Sequence, residues 1–363
     1  MSEPNETAQT PEPAEGTHPQ PLSLRGEGSQ DVGREGGAKG GEPHTSASAT
    51  SSTSGPPSPR TERGSGGEDP QLPARPGTQL TRGRVPTIHY ELSYLALNAE
   101  AGPRGAIVLL HDLPGGAYVW QGVMPTLAAT GRAVYAFDLL GYGESDQPWP
   151  ADCTVWGHAD NLAPAFARLG LSEIVLVGLG VGGGAAQVLA TRLYREQVAA
   201  LALVASYAYG TAYAADWPMT QMEQRHDPDA PRHTTTEQAL ADLRATLPGA
   251  AARSGGLPAA ALDAYTSPWN SDHGRELLFQ HIRQMVPNYT NSVASDLKRL
   301  TIPVALLWGE RDGVTPPALG ERLAREIPGA RLATIPGAGH LLLDDAPDRV
   351  ATLLADFAGA RRQ

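Results

Sequence analysis

Ile174-Val175-Leu176-Val177-Gly178-Leu179-Gly180-Val181-Gly182-Gly183 is the stretch that decides how this chain is read. IVLV is a short unbroken apolar run rich in β-branched residues, as a strand covered on both faces requires. Glycines crowd the next six positions. Gly183–Arg195 then has the length and composition of a helix. Strand, tight glycine turn and helix follow one another with nothing between.

The same rhythm runs outward in both directions. Apolar runs stand at Ala106–Leu110, Ala133–Phe137, Leu201–Val204, Val304–Trp308 and Leu332–Ile335. Helix-like stretches lie between most of them, at Gln121–Thr130, Trp156–Leu169, Pro317–Glu326 and Pro347–Ala358. Continuous apolar strands alternating with amphipathic helices predict an α/β protein with a mostly parallel sheet, helices on both faces. Thr87–Leu97 alternates apolar and polar, which predicts an antiparallel edge hairpin. From Ser206 to about Arg299 no strong strand is present, but Thr236–Thr246, Leu257–Tyr265 and Asp272–Val286 read as helices. That predicts a helical cap over 206–299, inserted before the last two strands, on a core formed by 83–205 and 300–363.

The loops that follow the strands form an ordered set. They are His111-Asp112-Leu113-Pro114-Gly115-Gly116, Asp138-Leu139-Leu140-Gly141-Tyr142-Gly143, Gly178-Leu179-Gly180-Val181-Gly182, Gly309-Glu310-Arg311-Asp312 and Pro336-Gly337-Ala338-Gly339-His340. The set resembles the α/β-hydrolase fold, in the branch that holds haloalkane dehalogenases, epoxide hydrolases and small esterases. The resemblance covers essentially all of 86–360. It implies a nucleophile at the centre of G-x-Nu-x-G. That position is Gly180, which has no side chain to attack with. It further implies His340 as the base, Asp312 as the acid that orients it, and the Leu113 and Val181 amides as oxyanion donors. His111 is expected to buttress the oxyanion loop, at the edge of the binding pocket. Asp112 departs from the family's H-G-x-P pattern and puts a carboxylate beside that loop. Tyr207, Trp217, Tyr265 and Trp269 are candidates to line a pocket for a small apolar ligand. A dehalogenase of this branch commonly has a halide-holding Trp after its nucleophile. Val181 stands there, and Leu113 on the opposite loop.

The elbow of such folds holds its nucleophile at φ > 0, a conformation glycine takes without strain. Gly180 should therefore stabilise the turn while removing covalent chemistry there, and Gly180→Ser should restore esterase activity. The functions that remain are acid–base chemistry by His340 and Asp312 without a covalent intermediate, such as isomerisation, lyase, cyclase or weak hydrolase chemistry, and non-catalytic ligand binding. Gly178–Gly183 also satisfies the dinucleotide pattern G-x-G-x-x-G. That pattern wants an acidic residue at the end of the next strand, and Ala205, Ser206 and Tyr207 stand there. No cofactor and no metal are expected. Asp138 reads as a structural turn residue, and Cys153 as a half-buried thiol.

Composition sets the outer bounds. Net charge is −11, which argues against a nucleic-acid binder. A single cysteine excludes an internal disulfide framework and a multi-cysteine metal site. No apolar run reaches the roughly 18 residues of a membrane span, and Met1–Gly16 has no basic and apolar signal pattern, so the expectation is a cytoplasmic protein. Of the first 80 residues, 43 are Gly, Pro, Ser or Thr, and none is aromatic. Such a chain cannot bury enough apolar surface to order itself, so 1–82 is expected to be a disordered tail.

Overall fold

The computed structural model describes residues 79–210, 233–253, 256–285 and 287–360. The expected tail lies outside the described residues as far as residue 78. Its end is displaced: Thr81 and Arg82 already belong to a strand.

Among the described residues eight strands form one sheet: β1 (Thr81–Pro86), β2 (Glu91–Leu97), β3 (Ile107–Leu110), β4 (Val134–Phe137), β5 (Ile174–Leu179), β6 (Val198–Val204), β7 (Val304–Gly309) and β8 (Arg331–Ile335). Their spatial order is β1-β2-β4-β3-β5-β6-β7-β8. β1 and β2 are antiparallel to each other, and β2 to β4. All other pairs are parallel. β5 lies at the centre, with Gly178 level with Leu110 of β3 and Leu203 of β6. The edge hairpin is built differently from the expectation. Thr87–Tyr90 is its turn, closed by the Thr87 N–H donating to the Tyr90 carbonyl at 2.6 Å, and the outer strand is β1. Only Val85 of β1 is buried, so this edge strand carries no apolar alternation for a sequence reading to detect.

Side chains from alternate strand positions enter two cores. On one face Val108, Leu110, Leu176, Leu203, Leu306 and Trp308 pack with helix residues Leu162, Phe166, Ala185, Leu319 and Leu323. On the other, Ile107, Leu109, Val175, Val177, Val204 and Leu307 pack with Met124, Leu127, Val350 and Leu354. Burial on both faces is why these strands read as unbroken apolar runs.

The helices are α1 (Met124–Ala128), α2 (Val155–Arg168), α3 (Gly180–Val188), α4 (Thr236–Thr246), α5 (Ala259–Thr266), α6 (Asp272–Gln284), α7 (Ala294–Leu297), α8 (Pro317–Glu326), α9 (Leu342–Asp345) and α10 (Pro347–Gly359). Their starts are chemically marked. Thr154 caps α2 through the Gly157 N–H, Ser271 caps α6 through the Gly274 N–H, and Thr235 with Gln238 forms a capping box on α4. α3 begins three residues earlier than its apolar pattern suggests. The glycines assigned to a turn are its first turn, and Leu189–Leu193 continues it as a π-helical segment. α4 to α7 form the helical insertion between β6 and β7. Among the described residues, no helix is long and apolar enough to cross a membrane.

Asp138, at the end of β4, fastens the strand ends that carry the site. Its Oδ1 accepts the Ala117 N–H at 2.7 Å, and its Oδ2 accepts Arg82 Nη1 at 3.0 Å and the Glu144 N–H at 3.3 Å. It is buried, while Arg82 is partly exposed. Asp138→Ala strands the Ala117 N–H and is expected to cost about 1–3 kcal/mol, read as a shift of the urea midpoint at unchanged slope.

Candidate active site

The site forms where β3, β5, β7 and β8 end. β5 runs into Leu179 and then Gly180, whose φ is +51°. That left-handed turn starts α3 and leaves the Val181 N–H pointing out of the helix N-terminus. The Gly182 N–H donates to the His111 carbonyl at 3.1 Å, which draws the loop after β3 alongside. His111 is fully buried and braces that loop. Its Nε2 accepts the Leu139 N–H at 3.0 Å, and its Nδ1 lies 3.0 Å from the Asp112 carbonyl. Through these two contacts it holds the loop in place.

The Asp112 carboxylate reaches across to the elbow. Its Oδ1 accepts the Val181 N–H at 2.8 Å, and its Oδ2 lies 3.0 Å from His340 Nε2. A Cβ added to Gly180 would collide with the Asp112 carboxyl carbon and both its oxygens. The position that should hold the nucleophile is therefore filled by a carboxylate from the neighbouring loop. Glycine stands where the side chain is expected, and aspartate where glycine is expected. The two departures compensate each other in space.

His340 sits between two carboxylates. Its Nδ1 lies 3.1 Å from Asp312 Oδ2, opposite the contact with Asp112. Asp312 is locked in turn. Its Oδ1 accepts the Val314 and Thr315 N–H groups at 2.9 and 2.8 Å, and its Oδ2 accepts the Thr315 hydroxyl at 2.8 Å. Thr315 is a supporting residue that the sequence reading missed. Its signal was a hydroxyl three residues after an aspartate in a turn. The His340 N–H donates to the Ala250 carbonyl of the helical insertion at 2.8 Å, so the insertion also sets the position of the histidine.

Asp112, Asp312 and His340 are 6%, 4% and 4% exposed. Burial by itself disfavours the imidazolium, but the Asp312 charge and the hydrogen bonds to Asp112 and Asp312 outweigh it and raise the His340 pKa to about 10. At neutral pH both ring nitrogens then carry protons and donate to the carboxylates.

The aromatic candidates distribute themselves around this array. The Tyr207 hydroxyl lies 3.3 Å from Asp112 Oδ1 and 3.3 Å from Met285 Sδ. Trp269 Nε1 donates to the Pro114 carbonyl at 3.2 Å, which pins the loop after β3 to the insertion. The Tyr265 hydroxyl donates to Asp344 Oδ2 at 2.7 Å, and burial, followed by the Asp344 charge, holds it neutral far above the usual tyrosine range. Trp217 lies outside the described residues. Cys153 is fully buried rather than half-buried, and burial pushes its thiol up to about 12, so it is inert at neutral pH. His158 and His281 flank Tyr142, and burial holds both neutral, His281 down to about 3. A surface pocket of about 400 Å³ lined by Arg195, Glu196, Asp296 and Arg299 lies by the segments that lead into β6 and β7, away from these loops.

The geometry also answers the dinucleotide reading. The α3 N-terminus already receives the Asp112 carboxylate, and a pyrophosphate there would meet a like charge.

Comparison with known proteins follows the same lines. A family model described as the alpha/beta hydrolase fold matches residues 105–347, two thirds of the chain. The chain belongs to the α/β-hydrolase fold family. A haloalkane dehalogenase from Psychrobacter cryohalolentis is 28% identical over 276 residues, covering 71% of this chain and 85% of that protein. A pimeloyl-[acyl-carrier protein] methyl ester esterase from Neisseria meningitidis is also 28% identical over 276 residues, covering 69% and 92%. Among solved structures, an alpha/beta hydrolase fold protein from Burkholderia ambifaria superimposes with a TM-score of 0.68 at 25% identity, covering 76% of this chain and 97% of that one. The α/β-hydrolase scaffold thus carries dehalogenases and esterases among the relatives of this chain.

Two outcomes are expected. Gly180→Ser does not simply restore a hydrolase, as the sequence suggested. It drives a side chain into Asp112 and adds left-handed strain of roughly 1–3 kcal/mol, so its melting temperature falls. Combining it with Asp112→Gly recovers much of that loss in the same melting curves. The second concerns pH. The folded pKa of His340 lies near 10, above its ordinary 6.5. Its contribution to stability is complete below about pH 6.5 and is lost as pH rises toward 10. Denaturation midpoints measured across that window should decline. In Asp112→Asn the decline should be shallower and end at lower pH.

Proposed function

We propose that this protein is an enzyme acting on a small apolar molecule, with His340 as the group that moves protons and Asp312 as the residue that orients it. The observation that carries the reading is the buried line Asp112–His340–Asp312 beside the Val181 amide. A histidine held at both nitrogens by fixed carboxylates, with a helix N-terminus next to it, is suited to acid–base work in a water-poor site. The Tyr207 ring and the Met285 thioether beside Asp112 favour an apolar ligand. Glycine at 180 supports chemistry that differs from that of a standard serine or aspartate hydrolase with its nucleophile on the elbow.

One observation favours a second reading, non-catalytic ligand binding. The Val181 amide, a donor for a developing oxyanion, is already occupied by Asp112. Turnover separates the two. A screen of small esters, epoxides, haloalkanes and β-diketones against the native chain is expected to give at least one substrate. His340→Gln should then lower kcat by roughly 10²–10⁴-fold, the usual size of a general acid–base contribution. Binding of the same compound, followed by calorimetry, should survive. A tight ligand that is never transformed supports the binding reading instead.

A further inference from the structure

Glycine at the elbow directs attention to the group that fills its place. Asp112 has the attributes of a carboxylate nucleophile. It occupies the volume of the missing side chain. One oxygen sits on the backbone donor at the start of α3, and the other faces the histidine. Its burial removes the water shell that blunts a carboxylate in solution. Asp138, the other buried carboxylate of the neighbouring loops, is engaged by Ala117, Arg82 and Glu144.

We propose that Asp112 is the nucleophile of this enzyme, moved from the elbow to the adjoining loop, and that it attacks an sp3 carbon of a small alkyl electrophile to form an ester on its own side chain. This rests on the reading of His340 as the proton carrier. The occupied amide selects the substrate class. An acyl substrate needs the Val181 N–H for its own oxyanion, and that donor is taken. Displacement at an alkyl carbon develops no carbonyl oxyanion on the substrate. The donor is then already in place for the second step, in which the carbonyl oxygen of the Asp112 ester becomes the oxyanion.

The steps balance. An Asp112 oxygen donates an electron pair to the alkyl carbon, and the carbon–leaving-group bond breaks, with its pair departing on the leaving group. Oδ2 carries one hydrogen bond, to His340, while Oδ1 has the Val181 amide and Tyr207 around it, so Oδ2 is the freer oxygen. Esterification removes the negative charge facing His340 Nε2. The imidazolium then releases a proton to solvent, and the neutral ring takes one from a water that attacks the ester carbon. The tetrahedral oxyanion rests on the Val181 N–H and next to the Tyr207 hydroxyl. Collapse expels the alkoxide, which takes its proton from His340, and leaves Asp112 as its acid; the acid passes its proton to the now neutral ring 3.0 Å away, which restores the imidazolium. The carboxylate returns, and the net reaction turns the alkyl compound and water into an alcohol and the protonated leaving group.

Leu113 and Val181 offer no ring N–H to hold a halide, so the test uses a leaving group that needs little help. Native protein in excess over 1-iodohexane is allowed one turnover in 18O-water. Mass spectrometry then reads the hexanol and the peptide that contains Asp112. The expected result is unlabelled hexanol and one 18O in Asp112. His340→Gln should accumulate a hexyl ester at Asp112, and Asp112→Asn should form neither adduct nor alcohol. In the double variant Asp112→Gly with Gly180→Asp, the adduct should move to residue 180. Labelled hexanol with unlabelled Asp112 means direct attack by water. That result overturns the nucleophile assignment while leaving His340 as the proton carrier. Absence of both hexanol and adduct also overturns it. Labelling of Asp112 with undiminished turnover in His340→Gln would instead defeat the His340 reading and leave Asp112 standing.

Discussion

The positive charge on His340, held between two buried carboxylates, is the interaction on which the rest of the site depends. Two aspartates this close in a site almost closed to water repel each other unless a cation stands between them. His340 supplies it, and in doing so fixes the loops after β3, β7 and β8 relative to one another. Each partner is secured from behind. Asp312 is held by two backbone amides and Thr315, Asp112 by the Val181 amide, and His340 by the Ala250 carbonyl. The array is preorganised, so little reorganisation is needed when charge moves within it.

At the elbow, Gly180 and Asp112 fit each other in space. Glycine relaxes a left-handed turn that costs any other residue strain, and the space it leaves admits a longer side chain from the next loop. The donor at the start of α3 keeps an anionic partner. The histidine keeps a hydrogen-bond acceptor where an elbow side chain would have been. Both contacts are made by one carboxylate, which comes from the loop after β3.

Much of the fold was legible because parallel strands covered on both faces cannot avoid being continuous apolar runs. The central strands, the helices of the insertion and α8 lie where the pattern puts them. The errors have local causes. β1 is an exposed edge of Arg, Gly and Pro with one buried side chain, so it carries no pattern. The first turn of α3 is glycine, which by propensity reads as a turn and is helical only because β5 and its neighbours confine it.

For the site, the sequence by itself determined the chemistry available: a histidine and an aspartate at the ends of the last strands, a glycine at the elbow and an aspartate after His111. These are identities at fixed positions along the chain, and spacing is enough to find them. Only the tertiary structure decided what they do together. Asp112 and Gly180 are 68 residues apart, and nothing local says that one side chain fills the space the other lacks. That follows from β3 and β5 being neighbours in register, with Gly178 level with Leu110, so that the loops leaving them meet within hydrogen-bonding distance. A carboxylate that looked in the sequence like an obstacle beside an oxyanion loop is, in three dimensions, the group that faces the histidine.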